Sequence, residues 1–175
     1  TQLIARTVRE LGVYCEILPG NAPASTILSR DPKALILSGG PASVLAKDAP
    51  HLDKQVLDSG LPVFGICYGM QLVSELLGGK VGGWGRSAAE TSITEHGAQS
   101  SGDIREFGPI NITVKKAVDL FADLPMDVEL PVWMSHGDKV QQIPEGFTVY
   151  ATSAGSPVAA FGDPKRKIFG VQFHP

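Results

Sequence analysis

The sequence predicts an α/β domain with an open, mostly parallel central sheet flanked by helices, and with extra antiparallel strands in its second half. Three observations support this fold class. Short apolar runs, typical of strands buried on both faces, alternate with helix-like segments in the first half. The 20 glycines and 13 prolines supply the tight loops that this alternation needs. A length of 175 residues suits one domain with a substantial core, so we assign 1–175 to one domain.

The first half supplies the alternating elements. Apolar residues at roughly helical spacing predict a helix from Leu3 to Leu11, which Gly12 ends. The remaining predictions are strands at 13–18, 34–38 and 62–66, and helices at 52–59 and 70–77.

The second half is richer in strands. A stretch without sustained periodicity, 82–103, is predicted to be a loop or an insertion. We find no internal repeat or domain linker. The predicted strands are 111–114, 131–134, 148–152, 158–161 and 168–173.

Composition and charge exclude several classes of protein. Apolar residues make up 43% and charged residues 19% of the chain, with a mean hydropathy of +0.07, which excludes disorder. A net charge of -3 and a pI of about 5.8 disfavour nucleic-acid binding. No apolar run approaches the roughly 18 residues of a membrane helix. The 2 cysteines cannot form a disulfide scaffold.

Both ends predict a piece of a longer protein. The chain starts at Thr1, directly in a helical pattern, and shows no signal peptide. It stops at Pro175, immediately after a strand-like run. We therefore expect a domain truncated at both ends.

The sharpest local signal is Gly65-Ile66-Cys67-Tyr68-Gly69, which joins a buried strand directly to a helix. This context favours a nucleophile elbow, in which a strained turn lifts the central side chain clear of the sheet. The helix N-terminus also favours the thiolate form. The alternative is that Cys67 is an inert core cysteine.

A cysteine nucleophile needs a base, and the chain has four histidines. His174 follows the last predicted strand, so it belongs to the sheet edge at which Cys67 lies. His136 also follows a strand and is the competing candidate. His51 and His96 are expected to be solvated surface residues.

Acyl transfer also requires an oxyanion hole. The backbone N–H of Tyr68, at the start of the helix, is the natural first donor. A second donor is expected from a neighbouring loop, for which Ser38-Gly39-Gly40-Pro41 is the candidate. Taken alone, that segment reads as a plain tight turn.

Four short motifs occur together in the order and spacing of one protein family. They are Ser38-Gly39-Gly40-Pro41, Gly65-Ile66-Cys67-Tyr68-Gly69-Met70-Gln71, Ser135-His136-Gly137-Asp138 and Gly170-Val171-Gln172-Phe173-His174-Pro175. Over nearly its whole length the chain resembles a class I (triad-type) glutamine amidotransferase domain, which has a flavodoxin-like architecture. Within that class it is most similar to the glutaminase domains of GMP synthetases, through the segments 1–6 and 105–108 as well.

The resemblance implies a role for each motif. It implies that Cys67 attacks the side-chain amide of glutamine, and that His174 activates the thiol and then protonates the departing ammonia. It implies an oxyanion hole formed by the amides of Gly40 and Tyr68. The residues that match positions holding the two ends of glutamine, mostly through backbone, are Gln71, Ser135, Gly137 and Asp138.

The resemblance also implies partners. Ammonia would pass to an ATP-dependent synthetase domain or subunit, absent from this chain, which uses ATP and magnesium to convert XMP to GMP in purine nucleotide biosynthesis. The glutaminase domain itself is expected to need no cofactor or metal. Neither nucleic acid nor a membrane is an expected partner, and the expected location is the cytoplasm. Any dimer contact is expected in the missing part of the protein.

Three features depart from the family pattern. The triad acid of the family is a Glu directly after the His-Pro pair, whereas the chain ends at Pro175. The first strand of the family would precede Thr1. The stretch 84–104 is longer than the pattern and resembles an inserted loop.

Other functions remain open beside an ammonia-supplying glutaminase. A non-catalytic docking module is disfavoured, because Cys67, His174, Gly40 and Gln71 are all present. A cysteine hydrolase of the same fold could act on γ-glutamyl amides, and another biosynthetic synthetase could be the partner. The motifs at 105–108 and 135–138 favour the GMP synthetase type.

Overall fold

The computed structural model describes residues 1–83 and 106–175. Its α-helices are α1 (Gln2–Glu10), α2 (Ala24–Leu28) and α3 (Tyr68–Leu76), and 3₁₀ helices span Lys54–Ser59 and Asp119–Phe121. Its strands are β1 (Leu35–Leu37), β2 (Val63–Ile66), β3 (Lys80–Gly83), β4 (Glu106–Val114), β5 (Glu129–His136), β6 (Asp138–Gln142), β7 (Thr148–Ser153), β8 (Ala160–Asp163) and β9 (Ile168–Val171).

The main sheet has seven strands in the order β1-β2-β9-β8-β7-β4-β5. The neighbours β1, β2 and β9 run parallel, and the rest of the sheet continues antiparallel from β9. The short strands β3 and β6 form a separate antiparallel pair. The predicted α/β fold class is confirmed, with the antiparallel strands of the second half extending the parallel part as one curled sheet.

Apolar side chains cover both faces of this sheet because neighbouring residues in a strand point to opposite sides. Val63 and Ile168 belong to the buried cluster that contains α3 residues such as Met70. Ile66 and Val171 belong to the cluster on the opposite face. This two-sided burial explains why the central strands read as continuous apolar runs.

The pairing of β2 with β9 places the two candidate catalytic residues side by side. Ile66 is in register with Val171, and the Cys67 N–H donates to the Val171 carbonyl at 2.8 Å. His174 follows Val171 by three residues, and its N–H donates to the Trp133 carbonyl of β5 at 2.9 Å. The far end of the sheet therefore curls round to the carboxyl end of β9.

One predicted strand is wrong. Residues 13–18 form no strand, and Val13 and Tyr14 are 56% and 83% exposed. Strand geometry needs a ladder partner, and within 1–83 and 106–175 no strand pairs with this segment. The prediction rested on the high β propensity of Val, Tyr and Ile, and propensity alone does not form a strand without a neighbouring strand.

Other predictions hold with changed bounds or type. The helix predicted at 52–59 is a 3₁₀ helix, which the Asp53 side chain caps at Gln55 N and which Gly60 ends at φ 79°. The elements α2, β3 and β6 were not predicted. Gly82 and Gly83 lie in β3 rather than in the predicted loop, and the rest of that loop prediction falls outside the described residues.

Candidate active site

The turn between β2 and α3 has the geometry of a nucleophile elbow. Cys67 has φ 53° and ψ −107°, in the region that side-chain-bearing residues rarely adopt. The turn packs too closely for larger flanking residues: a Cβ on Gly69 would overlap the Leu37 carbonyl oxygen, and one on Gly65 would lie 2.7 Å from Gly69. Two glycines are therefore a steric requirement of the predicted elbow.

The Cys67 thiol lies in a buried, hydrogen-bonded environment. Its Sγ donates to the Ser135 carbonyl at 3.6 Å and accepts from Gln172 Nε2 at 3.7 Å. Burial raises the pKa of the Cys67 thiol, while the Tyr68 backbone N–H and the Gln172 amide act to lower it. The expected pull of the helix N-terminus toward the thiolate is present, but burial outweighs it. A free enzyme with this thiol needs a base to remove the proton.

His174 lies against the same turn. A Cβ on Gly39 would lie 2.9 Å from His174 Cε1, 3.7 Å from His174 Nε2 and 3.4 Å from Cys67 Cβ. Both side chains therefore border the space that the missing Gly39 side chain leaves. His174 is exposed, so its ring can exchange protons with solvent and with a substrate.

His136 has a different environment. Its Nδ1 lies 2.7 Å from the Asp138 carbonyl, and its Nε2 lies 3.3 Å from Glu106 Oε2. Burial lowers the pKa of His136, against the carboxylates of Glu106 and Asp138, which raise it. Because both ring nitrogens face protein groups, His136 is poorly arranged to take a proton from Cys67. Of the other histidines, His51 is exposed as expected, and His96 lies outside the described residues.

The site opens into a cleft of about 710 Å³. It brings together the sequence-predicted site residues from four separate segments of the chain. Its lining is Gly40, Pro41, Ala42, Ser43, Cys67, Tyr68, Gln71, Phe107, Ser135, His136, Gly137, Asp138 and His174.

Two of these residues use their side-chain polar groups in hydrogen bonds to the protein itself. The Gln71 side chain is buried, and its Nε2 donates to the Asp138 carbonyl at 2.7 Å. The Tyr68 hydroxyl donates to the Pro50 carbonyl, so the ring anchors α3 to the preceding loop. Ser135 in β5, Gly137 between the strands and Asp138 at the start of β6 make up the β5–β6 turn, which lines the cleft.

Within residues 1–83 and 106–175, no group of three or more His, Cys, Asp or Glu side chains could hold a metal ion. No helix in those two ranges is long and apolar enough to span a bilayer.

Sequence reasoning missed three contributors to the site. Gly39, rather than only its neighbour Gly40, separates the Cys67 and His174 side chains. Gln172 contacts the sulfur, and buried Glu106 supports His136. All three stand within motifs that carry the family resemblance, but their contacts join distant parts of the chain, which spacing alone does not reveal.

Comparison with protein families and with curated proteins gives one consistent result. The family model "Glutamine amidotransferase class-I" matches residues 1–175. A "GMP synthase [glutamine-hydrolyzing]" of Campylobacter lari is 48% identical over 175 residues, which are 100% of this chain and 30% of that protein. Another of the same name, from Bifidobacterium longum, is 47% identical over 99% of this chain and 29% of its own length. The chain thus spans less than a third of these relatives.

Solved structures agree on the fold. A protein from Thermoplasma acidophilum, described as a putative GMP synthase subunit, superposes with a TM-score of 0.73 at 29% identity, covering 97% of this chain and 75% of that one. A glutamine amidotransferase from Thermotoga maritima gives a TM-score of 0.72 at 20% identity, covering 98% and 69%.

Proposed function

The chain belongs to the class I glutamine amidotransferase family, and we propose that it hydrolyses glutamine to glutamate and ammonia through a thioester on Cys67. One observation carries the proposal: Cys67, on a strained strand-to-helix turn, and His174, at the end of the neighbouring strand, meet across Gly39 in one cleft. Such a pair is what cysteine-based acyl transfer requires.

The chemistry follows from the states of the two side chains. Burial raises the pKa of the Cys67 thiol, so the thiol needs a base, and His174 takes the proton as the sulfur attacks the amide carbon of glutamine. His174 then gives that proton to the departing ammonia, which leaves a thioester on Cys67. Water, deprotonated by His174, attacks the thioester, and glutamate leaves as the thiol is restored.

Negative charge develops on the amide oxygen in both steps. We assign its stabilisation to the backbone N–H groups of Tyr68 and Gly40, at the start of α3 and after β1. A helix N-terminus favours such a charge through its free N–H groups. No metal or cofactor is assigned a part in this reaction.

The β5–β6 turn is the proposed binding site for the charged end of glutamine. Ser135, Gly137 and Asp138 line the same cleft as Cys67, and Asp138 carries a carboxylate. Gln71 shapes the floor between the turn and the nucleophile. An α-amino group would pair with Asp138, and an α-carboxylate would accept from backbone N–H groups.

The relatives at 47–48% identity carry the name GMP synthase, which supports a role for the ammonia. We propose that it passes to an ATP- and magnesium-dependent synthetase domain or subunit, which converts XMP to GMP. Because this chain covers about 30% of those relatives, the synthetase would reside in the remainder of the protein or in a separate subunit.

The proposed nucleophile can be tested with a diazoketone analogue of glutamine and peptide mapping by mass spectrometry. One label per chain is expected on Cys67, and none on Cys15, whose Sγ is partly buried and donates to the Ala5 carbonyl. A label on Cys15, or on neither cysteine, would contradict the assignment. Protection by glutamine, but not by other γ-glutamyl amides, would separate a glutaminase from a broader hydrolase.

A further inference from the structure

A chain of side-chain amides joins the nucleophile to the β5–β6 turn. Gln71 Nε2 donates to the Asp138 carbonyl at 2.7 Å and to Gln172 Oε1 at 3.2 Å. Gln172 Nε2 donates in turn to Cys67 Sγ at 3.7 Å. The two glutamines are 3% and 0% exposed, so no bulk water competes for these groups.

The direction of this chain is fixed at one end. A backbone carbonyl can only accept, so the Asp138 oxygen obliges Gln71 to present its NH₂ group. The second N–H of Gln71 then requires an oxygen from Gln172. Gln172 is left with its own NH₂ toward the sulfur, so the group beside Cys67 is a donor.

We propose that Gln172 is a further catalytic residue, which stabilises the Cys67 thiolate and directs its attack, and that Gln71 positions it. The inference rests on the proposed function, in which the thiolate is the attacking species. A hydrogen bond to an ionised acceptor is stronger than one to a neutral acceptor. The N–H of Gln172 therefore favours the charged form of a buried sulfur, which otherwise has a high cost.

The other contacts of the sulfur make this donor necessary. The neutral thiol donates to the Ser135 carbonyl, an oxygen that would repel the sulfur once the proton has left. The Tyr68 N–H, which also favours the thiolate, is the proposed oxyanion donor and must serve the substrate oxygen during attack. Among the described contacts, Gln172 supplies the side-chain N–H that stays on the sulfur throughout.

The test is the pH profile of iodoacetamide alkylation at Cys67, followed by peptide mapping in the full-length protein. Gln172→Met removes the donor at nearly constant volume, and we expect about a tenfold slower reaction at pH 7. The limiting rate at high pH should stay unchanged, because the nucleophile itself is intact. Gln172→Glu should slow the reaction at least as much, since a carboxylate faces the sulfur. Gln71→Met should give a smaller change in the same direction.

Two controls separate this role from general damage. Gln142→Met removes an exposed amide on β6 and should leave the profile unchanged. Cys15 supplies an internal reference rate in every variant. If Gln172→Met does not fold by circular dichroism, Gln172→Glu and Gln71→Met carry the test. Wild-type alkylation profiles in the folded Gln172 variants would overturn the proposal.

The readout is independent of glutamine turnover, so the two proposals can fail separately. A shifted alkylation profile in a protein without glutaminase activity would refute the proposed function alone. An active glutaminase in which Gln172→Met raises KM but leaves kcat and alkylation unchanged would refute the role of Gln172 alone. Both proposals together predict a lower kcat with a nearly constant KM.

Discussion

At the residue scale, the two candidate histidines differ in the exposure of the ring and in the protein groups that contact its nitrogens. His174 is exposed beside Gly39 and Cys67, whereas His136 is buried between the Asp138 carbonyl and Glu106. The first arrangement leaves a ring able to move a proton, and the second holds a turn in place. This contrast separates two histidines that sequence position alone leaves in competition.

Substitution of the two histidines should therefore affect different kinetic constants. His174→Ala should lower kcat/KM for glutamine by about 10²–10⁴-fold, and adding Cys67→Ala should make it little worse, because one catalytic unit is lost once. His136→Asn can keep the hydrogen bond to Asp138 and should mainly raise KM, by about tenfold. Steady-state kinetics of both variants in the full-length protein test these expectations. An active His174→Ala variant and an inactive His136→Asn variant would reverse the two roles.

Gly39 permits a second test at this scale. In Gly39→Ala the new Cβ would lie 2.9 Å from His174 Cε1, so the ring must shift from its position beside Cys67. A displacement of about 1 Å at a reacting group can cost on the order of 10²-fold in rate, and we expect that loss in kcat. The matched control is Gly20→Ala, whose Cβ would meet, among the described residues, only Pro50 Cβ at an ordinary contact distance of 3.7 Å. Equal kcat values for the two variants would contradict the proposed contact.

At the scale of elements, the turn between β2 and α3 depends on the close approach of α3 to β1. The contact is between backbones, because the space for a side chain on Gly69 is filled by Leu37, including its carbonyl group. Backbone atoms cannot move aside as a flexible side chain can. This approach presents the helix N-terminus, and with it Cys67, at the sheet edge.

Gly69→Ala should therefore destabilise the domain rather than only its chemistry. Overpacking of this kind costs about 1–3 kcal/mol, which corresponds to a fall of roughly 2–12 °C in Tm for a domain of this size. Thermal unfolding followed by circular dichroism measures it, again with Gly20→Ala as the control. An unchanged Tm for Gly69→Ala would mean that α3 can move away from β1 at no cost.

At the scale of the whole molecule, the proposed function makes the cleft a source of ammonia that another active site would consume. The proposed division of labour has a direct signature in the full-length protein. Cys67→Ala should abolish GMP formation with glutamine as nitrogen donor, yet leave GMP formation with ammonium salts intact, because only the ammonia source is removed. Loss of both activities would show that Cys67 supports the fold or the synthetase site instead.

Coupling between the two sites gives a last expectation at this scale. Glutaminase that runs without a consumer wastes glutamine, so XMP, ATP and magnesium should raise the rate of glutamine hydrolysis in the full-length protein. Glutamate release, measured with and without these ligands, tests this. Equal rates would contradict the coupling but leave the glutaminase itself untouched.

Several features were determined by the sequence itself. The elbow at Cys67 was predictable because a buried apolar strand, two flanking glycines and a helix-forming segment are adjacent in the chain, and their steric demands are local. The strands at 62–66 and 168–173 were predictable because burial on both faces leaves continuous apolar runs. The apolar run at 34–38 also predicted a strand, although β1 lies at the edge of the sheet and Ile36 is 44% exposed. The family motifs indicated which of these segments contribute residues to the site.

Other features required the tertiary structure. Residues 13–18 have strand propensity but no ladder partner among the described strands, and only the sheet order reveals that. The contacts of Gln172 with Cys67 and of Glu106 with His136 join residues far apart in sequence. Local pattern carries no information about such pairs, because burial and hydrogen-bond direction are set by which strands become neighbours. The pairing of β2 with β9 thus decided which histidine lies beside the thiol.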